Sequence, residues 1–100
     1  FVHTLVVDYV PDVESRVAHL GDLLRTKNFE QLRQSAHALK GGALNMGART
    51  LAEMFGTLQR SIEEKKLDDL SSQVEVIAAH WNLEKKEFEQ YLSKAGPGSA

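Results

Sequence analysis

The chain has 100 residues, of which 42% are hydrophobic and 26% charged, with a formal net charge of −2. That describes one globular domain with a modest core, and it excludes the concentrated basic stripe that nucleic-acid binding requires. No apolar run approaches the 18 residues of a membrane span and no signal peptide opens the chain. The absence of cysteine excludes a disulfide framework, a thiolate nucleophile and a cysteine-based zinc site, and fits a cytoplasmic domain.

The pattern is helical nearly throughout. Residues 1–9 are expected to form a short first helix, with Leu5 and Tyr9 four apart. Pro11 would break a helix interior but suits a first turn, so a second helix is expected to begin there. Its apolar stripe is Val13, Val17, Leu20 and Leu24, and it ends near the basic residues Arg25 to Lys27.

Asn28 is a good N-cap for the next helix, whose stripe is Phe29, Leu32, Ala36, Leu39 and Ala43. Asn45-Met46-Gly47 marks its end, with Gly47 free to take the left-handed conformation. A further helix carries Leu51, Met54, Phe55, Leu58 and Ile62 and ends near Lys65 and Lys66. The last helix is expected from Asp68, as its cap, through Leu70, Val74, Ile77, Trp81, Phe88 and Leu92. Residues 95–100 read as a flexible tail of the kind that cloning adds, leaving residues 1–94 as the domain. Loops of two to four residues force antiparallel neighbours. The expected fold is therefore all-α: an antiparallel, up-down four-helix bundle with a short extra N-terminal helix.

The chemistry centres on Ser35-Ala36-His37-Ala38-Leu39-Lys40-Gly41-Gly42. Helical spacing puts His37, Lys40, Gly41 and Leu44 on one face. Two adjacent helical glycines cost roughly 1–2 kcal/mol relative to alanines. That cost makes sense if something bulky must approach the imidazole, which points to a reactive histidine presented to another protein. Arg33, four residues before, and Lys40, three after, would stabilise phosphate charge added to the ring. Leu44 and Met46 are candidates for an exposed docking patch, with core packing as the alternative.

A nucleophilic imidazole needs its other nitrogen to hold the proton against an acceptor. The helix after Gly47 can supply one. Ala52 and Gly56 would let it approach, and counting from the turn near Met46 brings Gln59 roughly level with His37. The Gln59 side-chain oxygen is expected to accept from Nδ1–H, leaving Nε2 to attack.

The run A-H-A-L-K-G-G-A-L-N-M-G, followed by Leu51 and Gln59, resembles the histidine phosphotransfer (HPt) domain family, whose pattern reads A-H-x-L-K-G-[SA]-x-x-x-x-G. The resemblance covers most of the chain and is weaker over the last helix. It implies that His37 is phosphorylated, that Lys40 stabilises the phosphoryl group and that Gln59 orients the ring. It also implies that Gly41 and Gly42 leave room for the partner. Gly42 stands where serine or alanine is more usual, which removes a hydroxyl but keeps the position small. The implied partner is a receiver domain, which brings the magnesium; the domain itself is expected to be a monomeric carrier without ATP, cofactor or metal. The chain starts at Phe1, which suggests a piece of a longer protein such as a hybrid sensor kinase.

Two other classes compete. One is a fragment of a kinase dimerisation and phosphoacceptor unit, which an obligate dimer would favour. The other is a docking bundle whose histidine is never phosphorylated. Elsewhere the readings are plain. His3, His19 and His80 lack any such context. His80 and Glu84 have ligand spacing, but two ligands are too few for a metal site. Trp81 reads as a core anchor, and Glu63-Glu64-Lys65-Lys66 and Glu84-Lys85-Lys86-Glu87 read as solvated faces.

Overall fold

The computed structural model describes the backbone of residues 2–95 and the side chains of residues 8–90. Four helices follow one another: α1 (Val2–Arg25), α2 (Phe29–Asn45), α3 (Arg49–Glu63) and α4 (Leu70–Ala95), with no strand among the described residues. Each helix packs on its neighbours in sequence and α1 closes the ring on α4, while α1 and α3, and α2 and α4, stand apart across the core.

The expected break at Pro11 is absent. Residues 2–25 form one helix with Pro11 inside it, so there is no separate N-terminal helix. An internal proline removes a backbone hydrogen bond and can cost about 3 kcal/mol. Here Pro11 is solvent-exposed, while Tyr9 and Val10 before it and Val13 after it pack on the core. That burial on both sides of the proline holds the helix in one piece. At the other end, Ala95 is still helical; residues 96–100, and the side chains of His3, Leu5 and Leu92, lie outside the described residues.

The apolar stripes converge on one core. Val13, Val17, Leu20 and Leu23 of α1 meet Leu32, Ala36, Leu39 and Ala43 of α2. Leu51, Ala52, Phe55, Leu58 and Ile62 of α3 join Leu70, Val74, Ile77 and Trp81 of α4. Leu24 and Phe29 are only partly buried, so Leu23 rather than Leu24 completes the α1 stripe. No polar or charged residue is buried among those described.

Local signals account for the helix ends. The Asn28 side chain accepts from the Gln31 amide at 3.4 Å, capping α2. At the other end of α2, Gly47 has φ +75°; Ala48 N–H reaches the Ala43 carbonyl at 2.8 Å and Gly47 N–H that of Leu44 at 3.1 Å. This is the double hydrogen bond of a Schellman end. The ends of α1 and α3 repeat it with Lys27 (φ 59°) and Lys65 (φ 60°) in the left-handed position. The start of α4 falls one residue later than expected, with the Asp69 carbonyl taking the Gln73 amide at 3.0 Å.

Between α1 and α4, Tyr9, Trp81 and Phe88 form an aromatic cluster with ring centroids 5.4–6.4 Å apart. One carboxylate oxygen of Glu14 accepts from Trp81 Nε1 at 3.2 Å and from Lys85 Nζ at 2.9 Å. The Lys85 hydrogen bond, seconded by Trp81, holds the Glu14 carboxyl below the usual carboxylate range.

Candidate functional site

The α2–α3 hairpin builds the site. Its turn is short, so each step away from it on α2 is matched by a step on α3. Lys40 lies over Gly56, His37 meets Gln59, and Arg33 meets Glu63.

His37 follows the buried Ala36 and is itself exposed. Its Nδ1 lies 3.3 Å from Gln59 Oε1. A carboxamide oxygen only accepts, so the Nδ1–H donates and Nε2 keeps its lone pair. Gln59 is half-buried and its Nε2–H donates to Glu63 Oε2 at 3.1 Å. The same oxygen lies 3.8 Å from Arg33 Nη1. Arg33 also bonds Glu30 one turn back, and each raises the other's preference for its charged form: the Glu30 carboxyl is lowered and the Arg33 guanidinium raised. Arg33 is therefore not a bare cation beside the ring. Its side chain is 31% exposed and engaged by two carboxylates.

Lys40 is exposed, and its Cδ, Cε and Nζ lie 3.5–3.7 Å from where a Cβ on Gly56 would stand. That is ordinary contact, so Gly56 seats the lysine stem without being forced to be glycine. Gly41 and Gly42 have no atom within 4 Å of a hypothetical Cβ. Nothing inside the domain demands glycine there; the space they keep is on the outside. Leu44 is 55% exposed and edges a groove between α2 and α3 that is floored by Ala52 and Gly56 and flanked by Lys40, Arg49 and Arg60. Met46 is half-buried without packing on the core, and lines a shallow groove with Gly42, Asn45 and Tyr9.

Glu63 is exposed, as a solvated charge run predicts, but it also has partners that the run does not suggest. It is not merely part of a solvated charge run, because it bonds Gln59 and neighbours Arg33. Its position four residues after Gln59, opposite Arg33 four before His37, carried the signal. His80 and Glu84 pair with each other through Nε2 and Oε2, and no group of three or more potential metal ligands occurs among the described residues. No described helix is long and apolar enough to cross a membrane.

The site is thus an exposed helical histidine whose Nδ1 faces a glutamine oxygen on the neighbouring helix of an all-helical protein. The Hpt domain family matches residues 4–95, and the chain belongs to that family. Comparison with curated proteins found no match, and comparison with solved structures found none. At the level of the family, the domain is a histidine phosphotransfer module of two-component phosphorelays: a phosphocarrier rather than an enzyme, with receiver domains as its class of partner.

Proposed function

We propose that His37 is the phosphorylated residue, taking a phosphoryl group from the aspartate of one receiver domain and passing it to another. The observation that carries this reading is the exposed imidazole with its Nδ1 at 3.3 Å from the Gln59 oxygen. Nε2 attacks phosphorus in line with the acyl-phosphate bond. The N–P bond forms, the P–O bond to the aspartate breaks, and the carboxylate leaves with the electron pair. While Nδ1 keeps its proton, the lone pair given to phosphorus leaves the ring a formal imidazolium beside the anionic phosphoryl group, and the Gln59 oxygen that accepts from Nδ1–H stabilises that charge. The receiver supplies magnesium and most of the charge stabilisation, and this domain supplies position.

Lys40 stabilises the transferred phosphoryl oxygens as a mobile point charge. Gly41 and Gly42 keep the approach clear, Leu44 gives the partner an apolar contact, and Arg33 flanks the docking face. The pairings of Lys40 with Gly56, His37 with Gln59 and Arg33 with Glu63 support an up-down antiparallel arrangement, as do those of Tyr9 with Phe88 and Glu14 with Trp81. On this reading residues 1–94 act as one monomeric cytoplasmic unit.

The test is to mix the purified domain with a phosphorylated receiver domain and map acid-labile, alkali-stable phosphate by mass spectrometry. Label is expected on His37, falling to background in His37→Gln with helicity unchanged. Label persisting in that variant overturns the assignment. Receiver binding without label across several receivers points instead to a docking bundle, and an obligate dimer to a kinase dimerisation unit.

A further inference from the structure

We propose that Glu63 is a positioning residue: its carboxylate decides which end of the Gln59 amide faces His37, and so which ring nitrogen carries the proton. The inference rests on the reading of His37 as the nucleophile and adds the group that sets its tautomer.

Glutamine has a weakness as an orienting group. Its carboxamide is nearly the same shape either way round, with an acceptor at one end and two donors at the other. With the oxygen towards His37, Nδ1 must carry the proton and the exposed Nε2 has a free lone pair. With the NH2 towards His37, Nδ1 must accept. The proton then sits on Nε2, and that nitrogen cannot attack phosphorus. Contact with the ring alone does not choose between the two, because the neutral imidazole can change tautomer to suit either.

Glu63 makes the choice. Its Oε2 lies 3.1 Å from Gln59 Nε2, and an ionised carboxylate only accepts. Turning the amide over would set two acceptor oxygens against each other at that distance. The polarity therefore runs one way: His37 Nδ1–H to Gln59 Oε1, then Gln59 Nε2–H to Glu63 Oε2. Arg33 Nη1 lies 3.8 Å from the same oxygen and attracts the carboxylate as an ion pair, and Glu30 holds Arg33. Five side chains of α2 and α3 thus form one chain of directed contacts ending at the imidazole.

Two variants read this out. Glu63→Gln keeps the shape but offers a donor as well as an acceptor, so the direction is lost. In the unphosphorylated domain, at a pH where the ring is neutral, long-range nitrogen–proton NMR gives the tautomer ratio of His37. The Nδ1–H form is expected to dominate in the parent protein and to lose about 3- to 10-fold of its preference in Glu63→Gln, the scale of one hydrogen bond. The rate of phosphoryl acceptance should fall by a similar factor. Adding Gln59→Glu to Glu63→Gln exchanges acceptor for donor along the chain and restores one direction: a carboxylate at position 59 accepts from both sides. The double variant is expected to recover the Nδ1–H tautomer, and Gln59→Glu alone to hold it too, because a carboxylate at position 59 only accepts; the tautomer depends on residue 63 only while residue 59 is glutamine.

An unchanged tautomer ratio in Glu63→Gln, or no recovery in the double variant, overturns the role of Glu63. Both outcomes are read on the unphosphorylated ring. They are therefore distinguishable from failure of the phosphocarrier reading, which shows as label surviving His37→Gln.

Discussion

The two long sides of the bundle are held by different means. The α2–α3 side buries small residues, Ala36, Ala43 and Ala52, among its leucines and Phe55, and carries its polar groups in a surface chain from Glu30 to His37. The α1–α4 side buries no alanine among the described residues, and closes instead on Tyr9, Trp81 and Phe88, with Glu14 tied to Trp81 and Lys85. Small side chains bring helix axes closer, so that short groups such as imidazole and carboxamide can meet across the seam. Large rings contribute burial and hold the opposite wall. One side is thus shaped for geometry and the other for stability.

The largest expected effect tests that division on the stability side. Trp81 is 1% exposed and sits in the aromatic cluster. Trp81→Ala is expected to cost about 3–5 kcal/mol, for the lost burial and the cavity left behind. It should show as a large fall in the urea midpoint. In the molecules that remain folded, the His37 tautomer and the rate of phosphoryl acceptance should be unchanged. If both move together with stability, the two sides are not separable and the comparison breaks.

How far each side could be read beforehand follows from the same difference. The core stripes of α2 and α3 lay open, because a 3.6-residue period is a local signal and Leu32, Ala36, Leu39, Leu51, Phe55 and Leu58 keep it. Gly47 marked a helix end for an equally local reason: it supplies the positive φ the turn uses. The facing of His37 and Gln59 could be counted, since a short turn leaves a hairpin little freedom of register. Pro11 misled because its tolerance depends on burial against another helix, which no window of sequence contains. Glu63 was passed over because Glu63-Glu64-Lys65-Lys66 looks like solvated charge when read along the chain. Read across the hairpin, it falls opposite Arg33.

The next effect concerns a flaw in the stabilising wall. The Tyr9 hydroxyl is buried without a hydrogen-bond partner. Burial first, and the nearby Glu84 second, push its pKa up from 10 to about 12. Below pH 10 the phenol is protonated in both states and the shift has no effect on stability. Between pH 10 and 12 the unfolded chain releases the proton first, so the folded state loses ground as pH rises. Tyr9→Phe removes an unpaired polar group and is expected to raise stability at pH 7 by about 1 kcal/mol. Its advantage over the parent should widen between pH 7 and pH 10.5 in paired urea titrations. Every other group is common to both proteins, so the difference between the two isolates Tyr9. A variant less stable than the parent at pH 7 would mean that the hydroxyl is in fact satisfied.

The smallest effect lies at the helix ends, and it sharpens the comparison because only one of three similar turns uses glycine. Gly47 closes the turn beneath the site hairpin, while Lys27 and Lys65 occupy the same left-handed position at the ends of α1 and α3. A residue with a Cβ pays roughly 1–2 kcal/mol in that conformation. Glycine avoids the strain but gives back about 0.4–1 kcal/mol through its freer unfolded chain. Lys65→Gly should therefore gain only about 0.5 kcal/mol, and Gly47→Lys should lose a comparable amount. Lys65 is also a cation beyond a helix C-terminus, where positive charge is favourable. Lys65→Asn controls for that loss: it removes the same charge, tolerates the left-handed conformation and should fall between lysine and glycine. Urea midpoints at constant slope rank the three. If Lys65→Gly falls below the parent while Lys65→Asn does not, chain entropy outweighs strain at this turn. The glycine beneath the site would then need a reason other than backbone conformation, such as the clearance a partner requires beside Leu44 and Met46.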